Sequence, residues 1–370
     1  MLTGEVRAAM YGHRETEWSA ILCDDTDAPV RPLWEFTGGH LEQSRFQRIR
    51  GGGSLDLVSD DRFAGIDWGR ARIRVEQSLT GLADPIPWGV YLVERPETTW
   101  EDEHGLAHAT VTLMDKLAVP AQAMPTETYS IAEGANVTAA VVAILAALGE
   151  TRVAVTESPL TMPAARSWPV SGDETTWLGI INDLLAVINY LALWCDGDGI
   201  YRISPHRPAG PGDSPAWTFA YGNPSGSLYL PEWSEAEDWY GVPNRVTLVT
   251  QGDEETAALV ATATNTDPGS KYSTVARGRI IDHRETGIDA ANLTTLQDMA
   301  RRRLESLTTS VTNVKITTAP IPIWPNDRID LASPSRAMET LRATSSSWSL
   351  ELTPEGLMDH EWREVVSIGA

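Results

Sequence analysis

The sequence predicts a mainly β protein with α+β inserts, and three features carry that expectation. Short runs rich in β-branched residues recur along the chain, bounded by Gly, Pro and Asp. Helical periodicity is confined to a few segments, all beyond residue 130. At 370 residues the chain exceeds the size at which one hydrophobic core usually keeps growing, so two or more domains are expected.

In chain order, the runs at 54–58, 71–76, 89–94 and 108–114 predict strands of an antiparallel barrel or sandwich. Pro-rich breaks near 120–125 and 205–215 mark the end of this first part and the end of a middle region. Asn136 is placed to cap a helix that ends at Gly149. The segment 171–205 reads as helix plus hairpin. Ser171 and Glu174 have the spacing of a capping box, which starts the helix near Gly172. Trp177, Leu178, Ile181, Leu184, Leu185 and Ile188 recur at three- and four-residue steps and give that helix one apolar face, which must pack against something. A short apolar run, 190–194, then leads through Asp196, Gly197, Asp198 and Gly199, whose turn chemistry reverses the chain into a strand at 200–203. Further strands are expected at 244–250, 278–282, 314–317, 328–331 and 346–352. Between them a helix over 290–307 is expected, with Asp289 as cap and Leu293, Leu296, Met299, Ala300, Arg303 and Leu304 along one side. No repeat of fixed period is visible.

The charge balance excludes one class of function. With 29 Lys+Arg against 51 Asp+Glu the net charge is −22, and a sequence-reading nucleic-acid binder needs a basic face. Residues 1–130 hold 12 basic and 21 acidic side chains, 131–240 hold 4 and 13, and 241–370 hold 13 and 17, for nets of −9, −9 and −4. Solubility explains such an excess, and so does a surface that nucleic acid passes without sticking. The longest apolar stretch, 137–148, is too short to span a bilayer, so no membrane span is expected. The first residues lack the apolar core of a secretory signal, which predicts a chain made in the cytoplasm. Cys23 and Cys195 are then expected as reduced, partly buried thiols.

The search for chemistry yields no catalytic, metal or cofactor site. Neither GxxxxGK[ST] nor a GxGxxG between strand and helix is present. His360-Glu361 is followed by Glu364 where a zinc-protease helix has its second histidine, and it is read as the charged edge of a terminal strand. His104 and His108, amid Glu101, Asp102 and Glu103, have metal-ligand spacing only on a helix, whereas Gly105 and the strand pattern put them in a hairpin. Gly222-Asn223-Pro224-Ser225-Gly226 lacks the nucleophile-elbow spacing around Ser225 and reads as a turn. Asp24, Asp25 and Asp27, like Asp196 and Asp198, lack the partners of a calcium loop and read as turn acids. The 14 Trp against 4 Phe are read chiefly as packing at domain junctions; Trp233 and Trp239, which flank Glu235, Glu237 and Asp238, are the candidates for surface contacts.

Against this background the stretch Arg50-Gly51-Gly52-Gly53-Ser54-Leu55-Asp56-Leu57, the stretch from Trp88 through Glu94 to Pro96, and Val111 through Asp115-Lys116 resemble the N-terminal half of minor tail proteins of long-tailed bacteriophages, the tail-hub family. Trp177 through Tyr201 is similar to the helix-hairpin of that family's central part. Asn244 to Val249, the loop through Asp267-Pro268, the helix ending in Arg301-Arg302-Arg303-Leu304, and Ile323-Trp324 with Asp327-Arg328-Ile329-Asp330 are similar to its C-terminal half. The resemblance implies two barrel-like, tail-tube-related β domains: 1–125 as the first, 126–210 as an α+β middle region, 211–240 as a linker or return strands to the first barrel, and 241–370 as the second barrel with one helix. It implies a structural, non-enzymatic virion protein without cofactor, a homotrimeric ring at the tail tip that adapts a hexameric tube and forms part of the channel for genome ejection. Its partners would be further copies of itself, a tail-tube or distal tail protein, and tip, fibre or tape-measure proteins, with DNA only in passage. The segment 171–205 would then be a prop inside or between subunits. Larger members append a lysozyme, peptidase or fibre domain, and none is expected here. The hub of a phage-derived contractile injection system would read alike, and the rival from another class is a wall-directed carbohydrate-binding or hydrolytic β protein.

Overall fold

Alternation is the rule that builds the first part of the chain. In the run 72–79, Ile73, Val75 and Leu79 turn inward, and Leu55, Leu57, Ala107, Ala109, Val111 and Leu113 do the same on other strands, so each contributes one apolar face to a shared core. The structure, a computed structural model, describes residues 3–11, 15–59, 63, 65–101, 105–170, 175–206, 214–222, 228–237, 241–251, 257–309, 312–324, 327–336 and 339–365. A short helix, α1 (Gly4–Tyr11), opens the chain. It is followed by β1 (Thr16–Cys23), β2 (Pro29–Pro32), β3 (Phe36–Ser44), β4 (Gly51–Ser59), β5 (Arg72–Leu79), β6 (Ile86–Glu101) and β7 (Leu106–Asp115). These strands pair antiparallel in the order β3-β4-β7-β6-β5-β1-β2. The run curls until β1 and β3 come into contact, and Leu33 N–H donates to the Ala20 carbonyl near the meeting point.

The middle region holds α2 (Ala118–Gln122), β8 (Tyr129–Ile131), α3 (Val137–Ala147), β9 (Val153–Val155), β10 (Arg166–Trp168), α4 (Trp177–Val187), β11 (Trp194–Cys195) and β12 (Tyr201–Ile203). Its core is separate from the barrel-like core and is built by Val137, Val141, Ile144 and Leu145 of α3 against Leu178, Ile181, Leu184 and Leu185 of α4. Asn136 caps α3, its side chain accepting from Ala139 N–H. The next helix starts later than the capping-box spacing predicts: α4 begins at Trp177, and Thr176 is its cap, accepting from Gly179 N–H. Ser171 and Glu174 lie outside the described residues, as do Asp102, Glu103, His104, Asn223 to Gly226, Asp238 and Trp239.

Two strands, β13 (Trp217–Ala220) and β14 (Tyr229–Glu237), come next, then β15 (Arg245–Thr250), β16 (Val260–Thr264), α5 (Thr274–Arg277), β17 (Asp282–Ile288) and α6 (Leu293–Thr309), and last β18 (Thr312–Thr318), β19 (Arg328–Ala332), β20 (Thr340–Glu351) and β21 (Met358–Glu364). Here the pairing departs from the expected division. β13 pairs with β19 and β14 with β18, so residues 217–237 complete the C-terminal half instead of returning to the first one. Within 241–309, β16-β15-β17 form their own sheet under α6, with Val246, Leu248, Leu296, Met299, Ala300 and Leu304 as core. The second barrel-like unit is therefore β14-β18-β21-β20-β19-β13, and the α+β layer is inserted between its strands. Among the described residues neither run closes into a barrel by backbone pairing; the fold is mainly β with helical inserts, as the sequence predicts. The cap of α6 also differs: Asn292 Oδ1 accepts from Thr295 N–H, while Asp289 pairs with Arg166 at 2.5 Å.

Both halves belong to one 13-stranded sheet because β20 serves both. Its residues 340–344 pair with β19, and its residues 347–351 pair with β3. Between Ser345 and Ser347 the register to β21 slips, a bulge that bends the strand at the point where its partner changes.

Leu184 is fully buried in the core that α4 shares with α3. A Leu184→Asp substitution puts an unpaired charge there and is expected to cost on the order of 4 kcal/mol. Scanning calorimetry of the variant tests this, and an unchanged melting temperature contradicts the packing of α4.

Candidate functional site

The hairpin at 194–203 is held by contacts that its turn residues alone make possible. Trp194 pairs with Arg202 and Cys195 with Tyr201. Asp196 Oδ1 accepts from the N–H groups of Asp198 and Ile200, each at 3.0 Å, and Oδ2 accepts from Arg202 Nε at 2.6 Å. Gly197 lies against the first half, where a Cβ would stand 2.2 Å from the Pro87 carbonyl oxygen and 2.9 Å from the Trp324 ring. Gly199, at φ 70°, abuts Val90 and presents its carbonyl to Lys116 Nζ at 3.1 Å. Trp194 stacks on Trp324 with ring centroids 6.4 Å apart. Pro87 and Val90 belong to β6, and Trp324 precedes β19, so the hairpin touches both halves of the large sheet.

Beneath it lies a cluster of buried charges that no local pattern in the sequence signals. Lys116, with no exposed surface, reaches Asp27 Oδ2 at 2.6 Å and Glu150 Oε2 at 2.9 Å. Arg72 pairs with the same two carboxylates at 2.7 and 2.6 Å, and Arg152 approaches Asp27 at 3.3 Å. Tyr201 Oη donates to the Lys116 carbonyl at 2.6 Å and its ring lies under the ammonium. Asp27, read from the sequence as an ordinary turn acid, is thus the centre of a lock between the β1–β2 turn, β5, the end of β7 and the middle region. Burial alone would raise its pKa, but the hydrogen bonds from Lys116 and Arg72 outweigh that and hold the carboxyl below its usual value. Next to Lys116, burial pushes Asp115 up to about 6, although Gly51 and Leu117 donate backbone N–H groups to it.

The second feature is a concave sheet face of about 770 Å³ that crosses from β3 over β20, β21 and β18 to β14. On its solvent side two rows of cross-strand neighbours run from half to half: Ser44, Ser347, Glu361, Lys315, Ser234, and Glu42, Ser349, Asp359, Thr317. Its charged lining is Glu42, Glu232, Asp359 and Glu361 against Lys315, four acids to one base. On the core side the matching row is Gln43, Trp348, His360 and Ile316, ending at the half-buried Trp233. Trp348 Nε1 donates to Gln43 Oε1 at 2.8 Å. Burial keeps His360 neutral, its pKa pushed down to about 3, and its Nε2 meets Thr318 Oγ1 at 3.0 Å. β21 is therefore an interior strand with alternating faces, not the edge that the sequence predicts for His360-Glu361. Nearby Glu235, Glu237 and Glu364 come together, ion-paired with Lys271 and Arg336. His108 sits on β7 facing Glu101 across the hairpin, and Cys23 and Cys195 are buried free thiols.

No family model and no curated protein sequence matches the chain. Solved structures do share its fold. It superposes on a tail protein from Neisseria meningitidis MC58 with a TM-score of 0.64 at 11% identity, over 94% of this chain and 97% of that one. For the 43 kDa tail protein of prophage MuSo2 from Shewanella oneidensis the TM-score is 0.60 at 12% identity, over 94% and 98%. A chain of the Francisella PdpA-VgrG complex gives 0.54 at 8% identity, over 95% of this chain and 53% of that one. The chain shares the fold of these two tail proteins and of that chain of the PdpA-VgrG complex.

The buried lock yields a pH-dependent prediction. Asp27 is held below its unfolded pKa, so its contribution is present above about pH 4 and is lost as pH falls through that range. Removing one partner of such a network in Lys116→Met should cost about 3 kcal/mol at pH 7. The gap between wild type and variant in urea denaturation is expected to shrink as pH falls below 4, and a gap that stays constant with pH contradicts the role given to Asp27.

Proposed function

We propose that the protein is a structural, non-enzymatic component of a phage virion that forms a homotrimeric hub at the tail tip. One observation carries the reading: two barrel-like units are fused through β20 into a single face that runs unbroken across both. Three copies of such a subunit present six comparable units, which matches the symmetry of a hexameric tail tube. The near full-length likeness in fold to two tail proteins supports this reading.

In the assembled hub the concave face with Glu42, Glu232, Asp359 and Glu361 forms the wall of the channel through which the genome leaves. A basic lining would bind phosphate and retain DNA, the more so at low salt, whereas an acidic lining with Ser and Thr between the charges offers nothing to hold it. The hairpin around Asp196, Gly197, Asp198 and Gly199, carried by α4, acts as the prop that keeps the two halves at a fixed angle. Its neighbours would be the tail-tube or distal tail protein on one side and tip, fibre or tape-measure proteins on the other. The likeness to a chain of a VgrG complex favours a second reading of the same kind, the hub of a contractile injection system.

Multi-angle light scattering at tens of micromolar, run with a pull-down on isolated bacterial wall, tests the proposal. A trimer that does not bind the wall is expected. A monomer that is retained on wall material contradicts the hub and supports a carbohydrate-directed protein.

A further inference from the structure

A second cavity, of about 320 Å³, opens where three parts of the chain meet: the end of β3, the segment 190–206 of the middle region, and the α+β layer of β17 and α6. Its lining runs against the acidic character of the chain, because Arg45, Arg302 and Arg303 face it together with His206, and Glu285 is the one acid in that lining. Glu285 is already engaged, accepting from Arg303 Nε at 2.6 Å and from His283. Arg302 donates from Nη1 to the Tyr190 carbonyl at 3.0 Å, and the Arg45 guanidinium lies 5.5 Å from the Phe46 ring; among the described residues neither has a carboxylate partner. Arg363 and Arg50 repel Arg45.

Partly buried guanidinium groups that line one cavity with no carboxylate partner are unfavourable unless an anion joins them there. We infer that this cavity binds a small tetrahedral oxyanion of the phosphate or sulfate class, held by Arg45 and Arg302 with His206 at its side. The planar fork of each guanidinium matches two oxygens of such an ion, and the neutral imidazole supplies a further ring N–H. The ionisation of the wall agrees with an anion site: burial, helped by Arg302 and then Arg45, pushes His206 down to about 4, and burial lowers Arg45 to about 10. An occupant would tie the middle region to the α+β layer, which also meet here through Arg302 and the Tyr190 carbonyl.

The test is calorimetric titration of the intact chain with inorganic phosphate, paired with thermal melts in phosphate and in chloride at matched ionic strength. The variants Arg45→Gln and Arg302→Gln are measured alongside. Saturable binding to wild type, with a melting temperature raised by several degrees over chloride and affinity at least tenfold weaker in both variants, is the expected result. Because Arg302 also supports the Tyr190 backbone, Arg45→Gln is the cleaner arm. A general salting effect of phosphate would raise all three proteins alike. That outcome, or no difference between phosphate and chloride for wild type, overturns the inference.

Discussion

A single strand, β20, decides the architecture. Twelve residues long, it gives its first half to one barrel-like unit and its second half to the other, and the bulge at Ser345 to Ser347 is the joint. Ser346 is buried there, and its carbonyl accepts from Arg45 N–H, so the bend is tied to the end of β3. Past the bend Trp348 locks the register. It is buried, bonded to Gln43 and packed edge-on against Trp88, which in turn packs on Trp18, each pair at 5.6 Å. Small serines where the strand must bend and a large indole where it must hold are the sequence's way of making two halves behave as one body.

That fusion has a consequence for the surface. A sheet that continues from one half into the other forms a saddle, and the outward positions of the saddle are not free to be apolar, since among the described residues nothing covers them. They are filled by Ser, Thr, Glu and Asp, with Lys315 among them. Charge placed on such a face is cheap for the monomer and informative about the assembly, because an axial wall and an outer surface impose opposite demands on it. The hairpin touches both halves, and the lock of Asp27, Lys116, Glu150 and Arg72 ties the middle region that carries it to the first half. Buried ion networks of this kind add little net stability compared with apolar packing, and removing one member leaves an uncompensated buried charge.

Strands at 54–58, 71–76, 89–94, 108–114, 314–317, 328–331 and 346–352 are legible in the sequence because alternation is local, and the same holds for the α3 cap at Asn136. Their partners are not. Trp348 and Gln43 are 305 residues apart, and Trp217 of β13 pairs with Ile329 and Tyr229 of β14 with Thr318, information that no window of the sequence contains. The expected division of 211–370 fails for that reason. The helix–hairpin is legible in its apolar face, with Leu178, Ile181, Leu184, Leu185 and Ile188 all buried, Trp177 partly so, and Ile180 and Val187 buried besides. Its start is not, because Thr176 competes as a cap with the better-looking spacing of Ser171 and Glu174. The lock is invisible in the sequence because Asp27, Arg72, Lys116 and Glu150 are ordinary residues until the fold brings them within 3 Å.

Electron cryomicroscopy of the proposed ring, at a resolution that traces β20 and its neighbours, tests the central claim most directly. Glu42, Glu232, Asp359 and Glu361 of every subunit are expected to face the axis, on a wall that carries more Asp and Glu than Lys and Arg. A wall that is neutral or basic, or a ring in which this saddle faces outward, would contradict it.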